Sequence, residues 1–382
     1  MLVDGSRVSQ GDKLELIDAL RGAAACGVVA YHCGRHIEKA TGDAFYAALT
    51  HFGHVGVDLF FVLSGFIILH VHRSDLGRPP GLRAFFVKRA TRVLPMYWIA
   101  LICTALMAGL GSRQWPDAAH WLQGLTLHPT RLEPVLGVSW TLTHEWLFYA
   151  AFGLAIWNRA GGLAVMATWA AAILLHAAGV FSVLAWPDAV LRPYNLEFLF
   201  GMATALWFRR QPLARPLRWM ALGATLVALG ASAELWGVLN GHGLLARLVY
   251  GPASVLLVMG AASAGPVSRL RPPRWMLALG SASYSIYLFQ FVFIGVTWKL
   301  VSALQAPERI GHGLLLLVLG FFGIVGGVAV WRWVETPLLA RLRSRRPPQT
   351  PLVRLSASPP SPAVRRPAVA RSPRPRWRSC RR

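Results

Sequence analysis

The sequence predicts an all-α, polytopic integral membrane protein with about ten transmembrane helices. Three observations carry that prediction. Hydrophobic residues make up 55% of the 382 and charged residues only 14%, against about 25% charged in a soluble globular protein. Mean hydropathy is +0.46, and so much apolar surface is stable in lipid rather than around one water-bounded core. Apolar stretches also recur along the chain, most of them near the ~20 residues that cross a hydrocarbon core as helix. A disordered chain, a disulfide scaffold and an ordinary soluble enzyme are excluded by the same composition.

Ten segments follow from that pattern: 17–35, 55–72, 92–111, 136–156, 161–180, 190–208, 217–236, 247–264, 276–301 and 313–334. The first is the weakest, because Asp18 and Arg21 stand at its start. A basic start, a short apolar run and Ala23-Ala24-Ala25 also suit a signal peptide, but nine more spans follow it. With the N-terminus inside, the internal loops and their flanks hold fourteen Lys and Arg and the external ones seven, Arg247 among them. That bias puts both termini in the cytoplasm.

The net charge of +23 invites a nucleic-acid reading, but 13 of the 39 Lys and Arg lie in residues 335–382 and most others lie in short loops. A nucleic-acid domain gathers them on one soluble face. Here they read as topology signals and contacts to anionic membrane lipid, with no specific nucleic acid expected. Residues 1–340 are read as the membrane domain. Residues 341–382, rich in Arg, Pro and Ser, are read as a disordered cytoplasmic tail. Cys26, Cys33, Cys103 and Cys380 form no CxxC pair and no Cys/His metal spacing, so no metal and no resident cofactor is expected. Cys26 and Cys33, two helical turns apart, are too distant to bridge.

Polar groups inside spans are costly and therefore mark candidate sites. Arg21 and His32 are eleven residues apart in the first span. Eleven steps of ~100° place them on one helix face, ~16 Å apart along the axis. Alone, His32 would read as an interfacial histidine. In the second span Asp58 needs a cation or histidine partner, while Ser64-Gly65 suits close helix packing. Arg89 and Arg92, three apart, share a face at the inner interface, where they serve either as positive-inside anchors or as a phosphate clamp. Glu145 lies inside the fourth span beside His144. Ser283, Tyr284, Ser285 and Tyr287 place hydroxyls in the ninth, and Glu335 and Pro337 mark the end of the tenth.

Seven stretches, LELIDALRGAAACGVVAYH, HVGVDLFFVLSGFIIL, KRATRVLPMYW, SWTLTHEWLFY, YNLEFLFGMATALW, LGSASYSIYLF and VETPL, together resemble the acyltransferase-3 family of membrane acyltransferases, which O-acylate sugars and glycoconjugates. They occur in order over about residues 14–338. The resemblance implies an acyl-CoA co-substrate, acetyl being the common case, on the cytoplasmic side of a bacterial inner membrane, and a carbohydrate or lipid-linked sugar acceptor reached from the other side. Carried over residue by residue, it makes His32, Arg21 and Glu145 the catalytic group, with His32 as general base or as the carrier of an acyl-histidine. It assigns Arg89 and Arg92 to the donor, while Asp58, Ser64 and Tyr284 are taken as substrate contacts. Two departures stand out: His144 replaces a small or aliphatic residue, and Gln290, which cannot act as a base, stands where a histidine is frequent. A transporter or flippase without acyl transfer is the alternative function class. It has no need of paired arginines aligned with a histidine, and no inverted repeats are evident.

Overall fold

The computed structural model describes residues 14–182, 188–268, 271–305 and 310–344. Among these there is no strand. The helices are α1 (Glu15–Thr41), α2 (Phe45–Leu49), α3 (Gly56–His72), α4 (Gly81–Ser112), α5 (Ala118–Thr126), α6 (Ser139–Trp157), α7 (Arg159–Ala177), α8 (Asp188–Leu191), α9 (Asn195–Arg210), α10 (Pro216–Leu235), α11 (Leu244–Ser268), α12 (Arg274–Ala303), α13 (His312–Val330) and α14 (Thr336–Ser344). A 3₁₀ turn, His51–Val55, leads into α3, and a π turn, Trp331–Glu335, joins α13 to α14.

Each predicted segment coincides with one long helix. Among the described residues, six helical stretches are long and apolar enough to cross a membrane: His51–Asp75, Gly81–Gly111, Arg159–Ala177, Leu244–Ala264, Arg274–Ala303 and His312–Leu342. By that measure the spans number six rather than the expected ten. Of the remaining four, α1, α6, α9 and α10, α9 has only 16 residues, and all four carry polar groups. These include Asp18 and Arg21, His144 and Glu145, Asn195 and Glu197, and Glu234. The last helix also runs to Ser344, past the expected boundary at 340. The tail from 345 lies outside the described residues.

Local signals set the ends. Gly42 closes α1 in the left-handed region at φ 78°, its N–H returning to the Glu38 carbonyl, a conformation that favours glycine. Asp117 and Asn158 accept from the backbone N–H of His120 and Gly161 and so cap α5 and α7.

Glycines bring the inner helices together at two crossings. A Cβ on Gly280 of α12 would lie 2.0 Å from the Asp18 carbonyl oxygen of α1, and one on Gly65 of α3 would lie 2.0 Å from the Phe198 carbonyl oxygen of α9. Only small residues allow such backbone approach. These crossings put the Arg21 turn of α1 against α12 and the Ser64 turn of α3 against α9. Outer helices show the opposite character, with Leu317 and Phe321 of α13 and Leu174 and Leu175 of α7 exposed, as a lipid-facing surface requires.

Candidate active site

Helices α1, α3, α4, α6 and α12 enclose a cavity of about 430 Å³, within the range of small-molecule sites. Its lining includes Arg21, Ser64, Arg89, Arg92, Glu145 and Tyr284, six side chains singled out from the sequence. Their convergence follows from helical period: a charge costly to bury must turn from lipid toward the bundle interior.

The arginines are held from behind. Arg89 donates to His72 Nε2 at 3.0 Å, and His72 Nδ1 in turn donates to Asp75 Oδ2 at 2.7 Å. The Arg89 guanidinium lies 5.8 Å from the Phe85 ring centroid and 5.9 Å from that of Tyr149, and its Nε makes no hydrogen bond. Arg21 stands 4.0 Å from Asp18 and feels Arg92 as a like charge. Glu145 accepts from Ser64 at 3.3 Å and from Tyr149 through a short contact. The Tyr284 hydroxyl donates to the Val93 carbonyl at 2.9 Å. Three guanidinium groups therefore face two carboxylates, Asp18 and Glu145, across one lining. That excess of positive charge suits an anionic ligand.

His32 lies elsewhere. It lines a second pocket, of about 210 Å³, with Tyr31, His51, His54, Glu234 and His242. Val57 and Tyr287 line both cavities, so the two chambers share a wall. Arg21 and His32 do lie on one side of α1, as their spacing predicts, but at the two ends of this divided path. Glu145 is not brought to His32. Instead, His32 Nδ1 donates to Gln290 Oε1 at 3.0 Å, and Gln290 Nε2 donates to the Tyr287 carbonyl at 2.8 Å. That second bond fixes which end of the amide faces the imidazole. The proton is then on Nδ1, and Nε2 keeps the lone pair a base needs.

Asp58 has the partner its burial demands, but in neither chamber. It forms an ion pair with Arg247, whose Nε is 3.8 Å from Glu197 Oε1. The Arg247 guanidinium also lies 4.1 Å from the Tyr194 ring centroid. Arg247, read from the sequence as an external loop charge, is 0% exposed inside α11. Its signal was the presence of two unexplained acids, Asp58 and Glu197, in other apolar helices. His144 is also withdrawn from both chambers, donating through Nδ1 to Asn195 Oδ1 at 2.9 Å. Sequence reasoning missed Gln290 as a partner and missed His51, His54 and Glu234 altogether. The pair in HFGH was visible only as an i, i+3 spacing.

Comparison with known proteins identifies relatives of this chain. Over 333 residues, 81% of the chain and 96% of the relative, it is 36% identical to the exopolysaccharide production protein ExoZ of Rhizobium meliloti (strain 1021). It is 24% identical to the acyltransferase MdmB of Streptomyces mycarofaciens over 88% of the chain and 95% of that protein. It is 22% identical to the peptidoglycan O-acetyltransferase OatA of Listeria monocytogenes over 84% of the chain but 55% of that longer protein. No solved structure matches. The acyltransferase domain family matches residues 14–332, a range that takes in every side chain of the arginine-lined cavity as well as His32 and Gln290. The chain belongs to the acyltransferase-3 family and is an integral membrane acyltransferase.

Proposed function

We propose that the protein moves an acyl group, acetyl as the simplest case, from cytoplasmic acyl-CoA to a hydroxyl of a polysaccharide or its lipid-linked precursor. The observation that carries this reading is the pair of chambers, one lined by arginines and one by His32, that meet at Val57 and Tyr287. An acyl-CoA is polyanionic at one end and reactive at the other. Its phosphates match Arg21, Arg89 and Arg92, and its thioester extends toward the shared wall. The acceptor enters the histidine side. The names of ExoZ and OatA, an exopolysaccharide production protein and a peptidoglycan O-acetyltransferase, support a glycan acceptor. The loop charges favour both termini inside, and the bacterial relatives favour an inner membrane location.

In the transfer, His32 Nε2 takes the proton of the acceptor hydroxyl as its oxygen attacks the thioester carbonyl carbon. The C–S bond then breaks with its electron pair on the coenzyme sulfur, and the proton held by His32 neutralises that thiolate. Gln290 keeps the imidazole in the tautomer this requires. Glu145, held by Ser64 and Tyr149, sits among the arginines and orients them toward the donor rather than touching His32.

The test is His32→Gln in purified protein, with donor binding measured separately. A positioned base contributes about 10²- to 10⁴-fold, so transfer should fall by that factor while acyl-CoA binding is retained. Near-normal transfer would refute the base role, and an acyl group trapped on His32 in the wild type would replace it with a covalent route.

A further inference from the structure

The pocket around His32 contains a group that acyl transfer does not use. His51 and His54 stand on the 3₁₀ turn His51–Val55. At three residues per turn, positions i and i+3 eclipse, so both imidazoles leave the same edge of the turn. That edge faces Glu234 near the end of α10. His51 Nε2 is 2.7 Å from Glu234 Oε2, and His54 Nε2 is 3.1 Å from the same oxygen without the alignment of a hydrogen bond. The three ligand atoms lie within 4.8 Å of one another.

The surroundings fix this group in place. The Tyr250 hydroxyl donates to Glu234 Oε1 at 2.6 Å, orienting the carboxylate and leaving Oε2 for the histidines. Gly53, between the two histidines, lies so close to α1 that a Cβ there would sit 2.0 Å from the Gly27 carbonyl oxygen. A Cβ on Gly241 would lie 2.4 Å from Glu234 Oε2. The turn and the carboxylate are thus positioned by backbone contacts, as a preformed site requires.

We propose that His51, His54 and Glu234 bind one divalent transition metal ion, zinc by ligand chemistry, with its open coordination position facing the pocket that His32 lines. Two imidazole nitrogens and one carboxylate oxygen are a zinc set that keeps a fourth position free. Tetrahedral bonds of 2.0–2.1 Å separate neighbouring ligand atoms by about 3.3 Å, close to the 3.1 Å of the His54 pair; the His51 pair, hydrogen-bonded at 2.7 Å, would open by about 0.6 Å on metal binding. Tyr250 supplies the outer hydrogen bond that metal-binding carboxylates receive. Tyr31 connects the site to His32: its ring centroid is 5.2 Å from that of His32 and 5.7 Å from that of His54. A metal here would hold acceptor hydroxyls on the histidine side of the shared wall. The cysteines give no sign of this site, because the cluster joins histidines and a carboxylate from segments 183 residues apart.

The experiment is Zn²⁺ titration by calorimetry into the full chain in detergent after chelator treatment, together with the metal content of the untreated protein. The wild type should bind one Zn²⁺ per chain and melt at a higher temperature with it. His51→Ala, His54→Ala and Glu234→Gln should each weaken that binding at least tenfold. His120→Ala, which removes a half-buried histidine paired with Asp117, should leave it unchanged. Co²⁺ in place of Zn²⁺ should give a four-coordinate visible spectrum in the wild type and in His120→Ala but in none of the three site variants. If the variants bind Zn²⁺ as the wild type does, or the wild type neither retains a metal nor binds Zn²⁺ at one site, the proposal is overturned. Should a variant fail to fold, the stoichiometry and spectrum of the wild type decide. Each readout is metal binding rather than turnover, so this test stands or falls apart from the acyl-transfer reading.

Discussion

Arg247 is fully buried among helices and the arginines of the large cavity are half-buried, and the protein treats them in opposite ways. Arg247 meets Asp58 and Glu197 directly, and the rings of Tyr194 and Tyr250 pack against its guanidinium. Its charge is compensated from inside the fold, and nothing is left over for a ligand. Arg21, Arg89 and Arg92 outnumber the acids lining their cavity. Arg89 is held by neutral partners, His72 and two aromatic rings, which position a guanidinium without cancelling it. The contrast separates a charge that joins helices from charges kept for a substrate.

The strongest way to break that distinction is to remove Arg247. Arg247→Met leaves Asp58 and Glu197 close together in an apolar interior with no cation. Breaking one side of a buried pair costs about 3–5 kcal/mol. We expect loss of monodisperse protein in detergent, and substantial recovery when Asp58→Asn and Glu197→Gln are added, because the uncompensated charges are then gone. A well-folded single variant that lacks only donor binding would place Arg247 with the cavity arginines instead.

Arg92→Ala should do the reverse, sparing the fold and weakening the donor. A charge-assisted hydrogen bond is worth about 1.5–3 kcal/mol, so KM for acyl-CoA should rise about 10- to 150-fold, with the acceptor KM little changed. Steady-state kinetics with each substrate varied in turn will show it. Should donor KM stay constant while protein yield falls, Arg92 is a membrane anchor and the contrast with Arg247 is lost.

A smaller effect is expected one chamber away. Gln290→Leu removes the acceptor for His32 Nδ1–H and frees the imidazole to take either tautomer. A neutral hydrogen bond contributes about 0.5–1.5 kcal/mol, which corresponds to a 2- to 12-fold fall in kcat with donor KM preserved. Gln290→His, the residue frequent at this place in the family that the sequence resembles, should restore most of the rate. An equal rise in KM, or no rescue by histidine, would show that Gln290 packs the pocket rather than aligning the base.

The same contrast explains what could be read in the sequence. Arg21, Ser64, Glu145 and Tyr284 were identifiable as polar residues within apolar runs, and Arg89 and Arg92 by their spacing at the inner interface and by the family motif they match. The helices were legible for the same reason. Partnerships were not. Arg247 stands at the start of an apolar segment, where an arginine ordinarily marks a loop, and only its approach to α3 and α9 reveals an internal ion pair. Gln290 looked like a lost base, and its bond to His32 depends on how α12 lies against α1. His51 and His54 meet Glu234 only through the contact between the 3₁₀ turn and α10. Three helices that fall short in apolarity, α1, α6 and α10, have the same cause, since Arg21, Glu145 and Glu234, which line the chambers, lower the hydropathy of the helices that carry them; α9 falls short in length, at 16 residues.

The tail carries the least expected effect. It supplies a third set of arginines, and the comparison predicts that they resemble neither of the other two. From 345 onward the sequence has neither an apolar run to bury a charge as Arg247 is buried nor a family motif to aim one at a substrate. Charges of that kind act through the membrane surface, at about 1 kcal/mol per residue near anionic lipid, and are screened by salt. Truncation after Ser344 should therefore leave kcat and both KM values in native membranes within about twofold of the full chain, a difference below ~0.5 kcal/mol. The yield of inserted protein and its retention on anionic vesicles should fall, most visibly at low ionic strength. If the truncated protein inserts normally yet loses transfer, some of those arginines reach the donor, and the division between compensated and ligand-directed charge must be extended beyond the cavity.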